Sequence, residues 1–214
     1  MAFCLLTIAR PTGAIATTAG TREVAFRRVN IARTRLSGPL VLEPPVFADE
    51  RGFFCETYRL EWHASLGIPP EERFIQDNHS RSTRGVVRGM HFHIGPGVAK
   101  LVRCARGRIL DVIVDLRRGS PTYAQWEGVE LDDERMRQLY VPIGFAHGFC
   151  VLSDVADVLY KQTAYYDPAV ERGIAWDDPD VAIAWPAEIE PIVSARDAAA
   201  PKLREVADEL PFVY

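Results

Sequence analysis

An antiparallel β-sandwich or barrel is the architecture this sequence predicts, and three observations predict it. The apolar runs are only 4–9 residues long, they are rich in Val, Ile, Tyr and Phe, and Gly, Pro or Asp breaks them. Short β-branched and aromatic runs between turn residues belong to all-β domains, whereas βαβ units would alternate them with long helical patterns. In chain order the expected strand segments begin with Pro39–Glu43, ended by Pro44-Pro45, then Phe53-Phe54, Phe74-Ile75 and Val86-Val87. Lys100–Cys104, Ile109–Leu116, Tyr123–Leu131, Arg137–Val141, Phe145–Leu152 and Val158–Thr163 follow. Gly107 sits between two of these as a hairpin turn, and Gly119-Ser120-Pro121 marks another. Two stretches read as helical: Leu60–Leu66, and Ala200–Glu209, where Pro201 suits a first turn. No internal repeat is present, so one all-β domain with short flanking helices is expected.

The chain has 214 residues, 48% hydrophobic and 25% charged, enough for one domain with a full core. A net charge of −4 argues against a general nucleic-acid binder, which carries a basic excess. No apolar run approaches the roughly 18 residues of a membrane span. The four cysteines (Cys4, Cys55, Cys104, Cys150) include no Cys-x-x-Cys, which suits neither a disulfide scaffold nor a zinc knuckle and implies a reducing, cytoplasmic setting. Charge is unevenly spread: residues 1–35 hold six arginines and one acid, a net of +5, leaving −9 on the rest. Arg-rich, acid-poor N-termini occur as targeting peptides. The competing reading is start-site choice, with Val29 as the true initiator. Residues 1–30 are thus expected to be an extension, disordered or an artefact of that choice, and residues 31–214 the single domain.

Histidine carries the chemical information. Of His63, His79, His91, His93 and His147, two lie in Arg88-Gly-Met-His-Phe-His93, so that on a strand His91 and His93 share a face. Pro142-Ile-Gly-Phe-Ala-His147 supplies a third from a later strand. Gly85 followed by His-x-His, with Pro-x-Gly-x-x-His downstream, resembles the two motifs of the cupin jelly roll, whose strands line a ligand- or metal-bearing interior. Metal-binding cupins carry a carboxylate after the second histidine, with three or four residues between them. Here those positions are Gly97 and Val98, and Lys100 follows, a cation that opposes a metal among the would-be ligands. No metal and no other cofactor is expected.

Longer segments point further. Phe47–Phe54, Gln76–Ser82, Gly85–His91, Asp115–Thr122, Pro142–Phe149, Leu159–Lys161, Tyr165-Tyr166 and Ser194–Asp197 together resemble the dTDP-4-dehydrorhamnose 3,5-epimerase family, metal-independent cupins of nucleotide-sugar metabolism. The resemblance runs from about Ile31 to the C-terminus. It implies a dTDP-linked 4-keto-6-deoxy sugar as substrate and epimerisation at C3 and C5, where the C4 ketone acidifies both protons. His91 matches the family's base, an imidazole suited by its pKa to take a carbon-bound proton. Asp197 matches the carboxylate that orients it, a role its Ser-Ala-Arg-Asp context favours over the alternative of a cap on the helix that follows. Lys100 matches the cation beside the enolate oxygen, and Tyr160 the acid on the opposite face. For substrate binding, Arg51 and Arg88 match the diphosphate arginines, and Glu56, Gln76 and Asn78 match nucleotide or sugar contacts. His147, Glu171 and Arg196 match further binding positions, and Tyr166 is a candidate stacking ring. The family pairs two barrels by exchanging N-terminal strands, so a homodimer is implied, with Arg51 and Glu56 serving the neighbour's site.

Two positions depart from the family pattern: His93 stands where Gln is usual, and Arg196 where Lys is common. Alternatives therefore remain at this stage. One is a metal-dependent cupin using His91, His93 and His147. Another is a catalytically silent sugar-nucleotide binder, and a third is an epimerase acting at one carbon alone.

Overall fold

The computed structural model describes residues 29–69 and 72–214, so the basic arm and the Val29 start-site question lie outside the described residues for positions 1–28. The first strands are β1 (Asn30–Arg33), β2 (Leu40–Glu43), β3 (Val46–Asp49) and β4 (Gly52–Cys55), followed by helix α1 (Trp62–Leu66). The body of the domain is β5 (Gln76–Thr83), β6 (Val86–His93), β7 (Lys100–Arg106), β8 (Arg108–Asp115), β9 (Trp126–Asp132), β10 (Gln138–Val141), β11 (Phe145–Val151) and β12 (Val155–Gln162). Short β13 (Glu171–Gly173), β14 (Ile192–Val193), α2 (Ala195–Ala198) and α3 (Leu203–Val206) close the chain.

Two sheets face each other as a jelly roll. One has the order β1-β2-β10-β7-β12-β5, the other β13-β6-β11-β8-β9, with β14 added parallel to β6. Inward positions along the strands change character from one end to the other. Val102 and Cys104 on β7, Ala156 and Val158 on β12, and Phe149 and Val151 on β11 join one buried apolar cluster that fills one end. At the opposite end the same faces present Lys100, Tyr160, Gln162 and His147. Outward faces are covered separately. Met90, Phe92, Val112 and Val114 pack beneath Leu203, Leu210 and Phe212 of the C-terminal segment. Leu42, Leu101 and Tyr140 pack beneath Trp62 and Leu66 of α1.

The β6–β11 crossing contains a bulge. His147 stands opposite His91 and Phe149 opposite Arg88, so Gly89 and Met90 together face Gly148. A Cβ on Gly148 would lie 2.6 Å from the Arg88 carbonyl oxygen, and one on Gly89, whose φ is +125°, 2.6 Å from the Gly148 Cα. Only hydrogen fits at this contact. The extra residue resets the alternation, which lets Arg88 and His91, three apart, line the same cavity.

Several expected boundaries move. The segment expected as Phe74-Ile75 is instead the eight-residue β5, Gln76–Thr83, whose sequence Gln-Asp-Asn-His-Ser-Arg-Ser-Thr carries no apolar signal. The run from Tyr123 becomes strand only at Trp126, because Ala124 (φ 62°) turns the chain. The helix expected over Ala200–Glu209 divides into α3 and a 3₁₀ turn at Ala207–Glu209, with Lys202 as N-cap and Pro201 one residue before it. The β3–β4 hairpin exceeds the expected Phe53-Phe54 and exposes every residue except Cys55.

Candidate active site

A cavity of about 500 Å³ opens at the polar end of the barrel. It gathers ten of the twelve residues assigned to the site from sequence. Strand β5 supplies Gln76 and Asn78, β6 Arg88 and His91, β7 Lys100 and β11 His147, while β12 adds Tyr160, β13 Glu171 and helix α2 Arg196 and Asp197. Side chains from both sheets thus converge although the chain separates them by up to 121 positions, Gln76 to Asp197.

The central pair is His91 and Asp197, with Nε2 2.7 Å from Oδ1. A hydrogen bond from the Gly89 amide, 3.3 Å from Oδ2, fixes the other carboxylate oxygen. Burial works against the Asp197 charge, yet the bonds from His91 and Gly89 hold its pKa below the ordinary value of 3.8. With Nε2–H donating to an ionised carboxylate, Nδ1 is left with the lone pair that can accept a proton. The capping alternative resolves in favour of Ser194, whose Oγ accepts from the Asp197 amide at 3.1 Å. Asp197 lies inside α2 and turns toward the histidine.

Lys100 is 8% exposed, and burial lowers its pKa to about 8, with Glu171 and Asp111 pulling the other way. Its Nζ stands 5.9 Å from the Tyr160 ring centroid. Burial also raises the Tyr160 pKa, so the phenol keeps its proton near neutrality and can donate it. Arg196 Nη1 bonds Glu171 Oε2 at 2.6 Å, holding both at the rim beside Asp197. His147 is paired in its turn, Nε2 to Asp111 Oδ1 at 2.6 Å.

Sequence reasoning missed Asp111. It is 0% exposed, and its second oxygen, Oδ2, has no partner among the described residues. The available signal was an acid inside the otherwise apolar Ile109–Val114. Ser80 and Gln162 also line the cavity and were missed, Ser80 because it falls in the unrecognised β5. Asn78 Nδ2 and Ser80 Oγ are buried there without partners among the described residues, as polar atoms awaiting a ligand would be.

Arg51 and Glu56 are not brought to this cavity. Arg51, 82% exposed in its side chain, sits at the β3–β4 turn against Asp49, and Glu56 bonds Arg59 Nε at 2.6 Å. A second cavity of about 250 Å³ lies behind β6, lined by Met90, Phe92, Ile174 and Leu210 with Asp197 at its edge. It is mainly apolar and lacks Lys100 and Tyr160. Among the described residues no group of three or more His, Cys, Asp or Glu is arranged to hold a metal ion, so the His91, His93, His147 set is not assembled as ligands. Among the described residues no helix is long and apolar enough to cross a membrane.

A jelly-roll cupin with a histidine–carboxylate pair, a buried lysine and a phenol around one polar cavity is built as an enzyme for acid–base chemistry on an enclosed ligand. The family model for dTDP-4-dehydrorhamnose 3,5-epimerase matches residues 33–205. A dTDP-4-dehydrorhamnose 3,5-epimerase of Salmonella typhimurium is 50% identical over 174 residues, covering 81% of this chain and 94% of that protein. A dTDP-4-dehydrorhamnose 3-epimerase of Streptomyces niveus is 46% identical over 175 residues, covering 81% and 83%. The crystal structure of a Legionella pneumophila dTDP-6-deoxy-D-glucose-3,5-epimerase in complex with dTDP-4-keto-L-rhamnose superposes with a TM-score of 0.83 at 45% identity, covering 87% of this chain and 99% of that one. The chain belongs to the dTDP-4-dehydrorhamnose 3,5-epimerase family.

Proposed function

We propose that this protein epimerises dTDP-4-dehydro-6-deoxy-D-glucose at C3 and C5, giving dTDP-4-dehydro-L-rhamnose. The observation that carries the reading is the convergence of His91–Asp197, Lys100 and Tyr160 on one cavity. His91 Nδ1 takes the proton from a carbon next to the C4 ketone, and the C–H electron pair passes into an enolate. Asp197 stabilises the imidazolium that results. The Lys100 ammonium faces the oxygen on which charge accumulates, where a preorganised cation contributes most. Tyr160 returns a proton to the opposite face of the ring, which inverts the carbon. Solvent then reprotonates Tyr160 and takes the proton from His91 before the second carbon reacts.

Arg88 meets the diphosphate, Gln76 and Asn78 the nucleotide or sugar, and His147, Glu171 and Arg196 the remaining polar groups of the ligand. Tyr166, at the cavity edge, offers a ring for thymine to stack on. The working unit is a homodimer in which the β3–β4 hairpin of each copy reaches the other's cavity. Exposed Phe47, Phe53 and Phe54 on that hairpin, beside Arg51, support this reading, because such an apolar patch calls for cover. Free Cys55, Cys104 and Cys150 fit a reducing cytoplasm.

The relative named as a 3-epimerase gives substance to a second reading, action at one carbon. Incubation with the 4-keto sugar nucleotide in deuterated water separates them. Deuterium at both carbons is expected, deuterium at one identifies the narrower enzyme, and none at either defeats the proposal. His91→Ala should reduce exchange at both carbons by about 10²–10⁴-fold.

A further inference from the structure

Four of the five histidines have a protein partner. His91 and His147 bond carboxylates, His63 Nε2 lies 2.9 Å from the Tyr58 hydroxyl, and His79 Nε2 lies 3.4 Å from Asp157. His93 has none among the described residues, yet it is 5% exposed. Such a ring has no protein hydrogen bond and its nitrogens are open to the cavity, so a bound ligand can supply one. His93 lines the cavity on the same strand face as His91, two residues on, and pairs across the ladder with Glu171. The charged groups facing it are Lys100, Glu171, Asp167 and His91. Burial first, and then Lys100, lower its pKa, so it meets a ligand as a neutral ring with one donor and one acceptor.

We infer that His93 is the specificity-determining residue that hydrogen-bonds the C3 hydroxyl of the bound sugar. The inference rests on the epimerase reading and sharpens it. His91 must reach the carbons on either side of the ketone, and Lys100 must face the ketone oxygen. A ring adjacent to both stands at the keto edge of the sugar. Three substituents occur along that edge: the C4 oxygen, the C3 hydroxyl and the methyl group on C5. The hydroxyl alone both donates and accepts, and it alone changes face when C3 inverts. A neutral imidazole can follow it, donating from one nitrogen or accepting at the other.

The test measures deuterium incorporation at C3 and C5 in one tube, for the full-length wild type, His93→Phe and His93→Gln. Each is given the 4-keto-6-deoxy sugar nucleotide and its 3-deoxy analogue. Loss of one neutral hydrogen bond should lower C3 exchange about tenfold relative to C5 exchange in His93→Phe. His93→Gln, which keeps a donor and an acceptor, should restore the ratio. On the 3-deoxy analogue wild type and His93→Phe should show the same ratio. Proportional loss at both carbons in His93→Phe, failure of Gln to restore the ratio, or a deficit that persists with the analogue would overturn the assignment. Absence of exchange in the wild type would instead overturn the epimerase reading, so the two failures are distinguishable.

Discussion

Lys100 shows how much one side chain depends on its surroundings. A lysine at the start of a strand is ordinarily solvated and charged to high pH. Buried in the barrel mouth, it titrates at about 8. An ammonium is present below that value and lost above it, so kcat/KM should fall as pH rises through about 8 if Lys100 must carry charge. Lys100→Arg keeps its charge at every accessible pH. A pH profile of the two proteins checks this, because the alkaline limb should move upward in the variant, and an unmoved limb would release Lys100 from the role. Tyr160 invites a different measurement. Tyr160→Phe should impair inversion more than exchange, since His91 can still abstract and return a proton on its own face. Equal loss of both, compared by product analysis and deuterium content, would remove Tyr160 from the second face. At this scale residue identity and neighbouring motif text were legible in sequence. The His91–Asp197 bond spans 106 positions, however, and nothing local to either residue encodes it.

Among the elements, β5 is poorly legible in the sequence, for a physical reason. Strand β5 puts Gln76, Asn78 and Ser80 toward the cavity and Asp77, His79 and Arg81 outward, so neither face is apolar and no period-2 hydrophobic signal exists. Its pairing with β12 along all eight residues holds it in the sheet. The Asp115–Thr122 segment, one of those carrying the family resemblance, is scaffold and does not reach the cavity. Asp115 is 0% exposed and accepts bonds from Arg117, Ser120 and Thr122, while Arg117 Nη2 also donates to the Ser37 carbonyl at 2.8 Å. Burial pushes the Asp115 pKa up, but these three partners hold it below 3.8. A depressed carboxylate stabilises the fold above its unfolded pKa, and that contribution disappears as pH falls through the folded value. Asp115→Asn leaves the part-buried Arg117 without its counter-charge and should cost about 3 kcal/mol, lowering Tm by about 10 °C. Thermal melts at pH 7 and pH 3 check this, with a smaller gap between the two proteins expected in acid. A melting point at pH 7 within a degree or two of wild type would refute this role for Asp115. The bulge at Gly89 and Gly148 was equally invisible, because a glycine in a strand announces a close approach without naming what approaches.

For the whole molecule, the exposed hairpin decides what counts as the functional unit. Phe53 and Phe54 are 59% and 65% exposed, and the two sequence-assigned residues absent from the cavity, Arg51 and Glu56, lie beside them. If the hairpin completes a neighbour's site, a Phe53→Asp, Phe54→Asp double variant should sediment as a monomer and lose most activity. Mixed dimers make a sharper test. Arg51→Ala and His91→Ala, each impaired alone, should recover activity when unfolded and refolded together, since one site of the heterodimer then has both groups. No recovery, with mixed dimers demonstrated by mass, would return Arg51 to its own chain.

Composition, turn residues and the short apolar runs determined that this chain makes an all-β domain, because strand alternation and chain breaks are local properties written in consecutive residues. The motif text likewise determined the family and nominated most of the polar side chains at the cavity. Tertiary structure alone decided which of them meet. It turned Asp197 onto His91 and capped α2 with Ser194 instead, and it set Asp111 behind His147. It left His93 without a protein partner among the described residues and held Arg51 outside. Each outcome depends on how two sheets bring distant residues together and on how much water they exclude there, and burial of that kind is a property of the packed molecule that no stretch of sequence carries by itself.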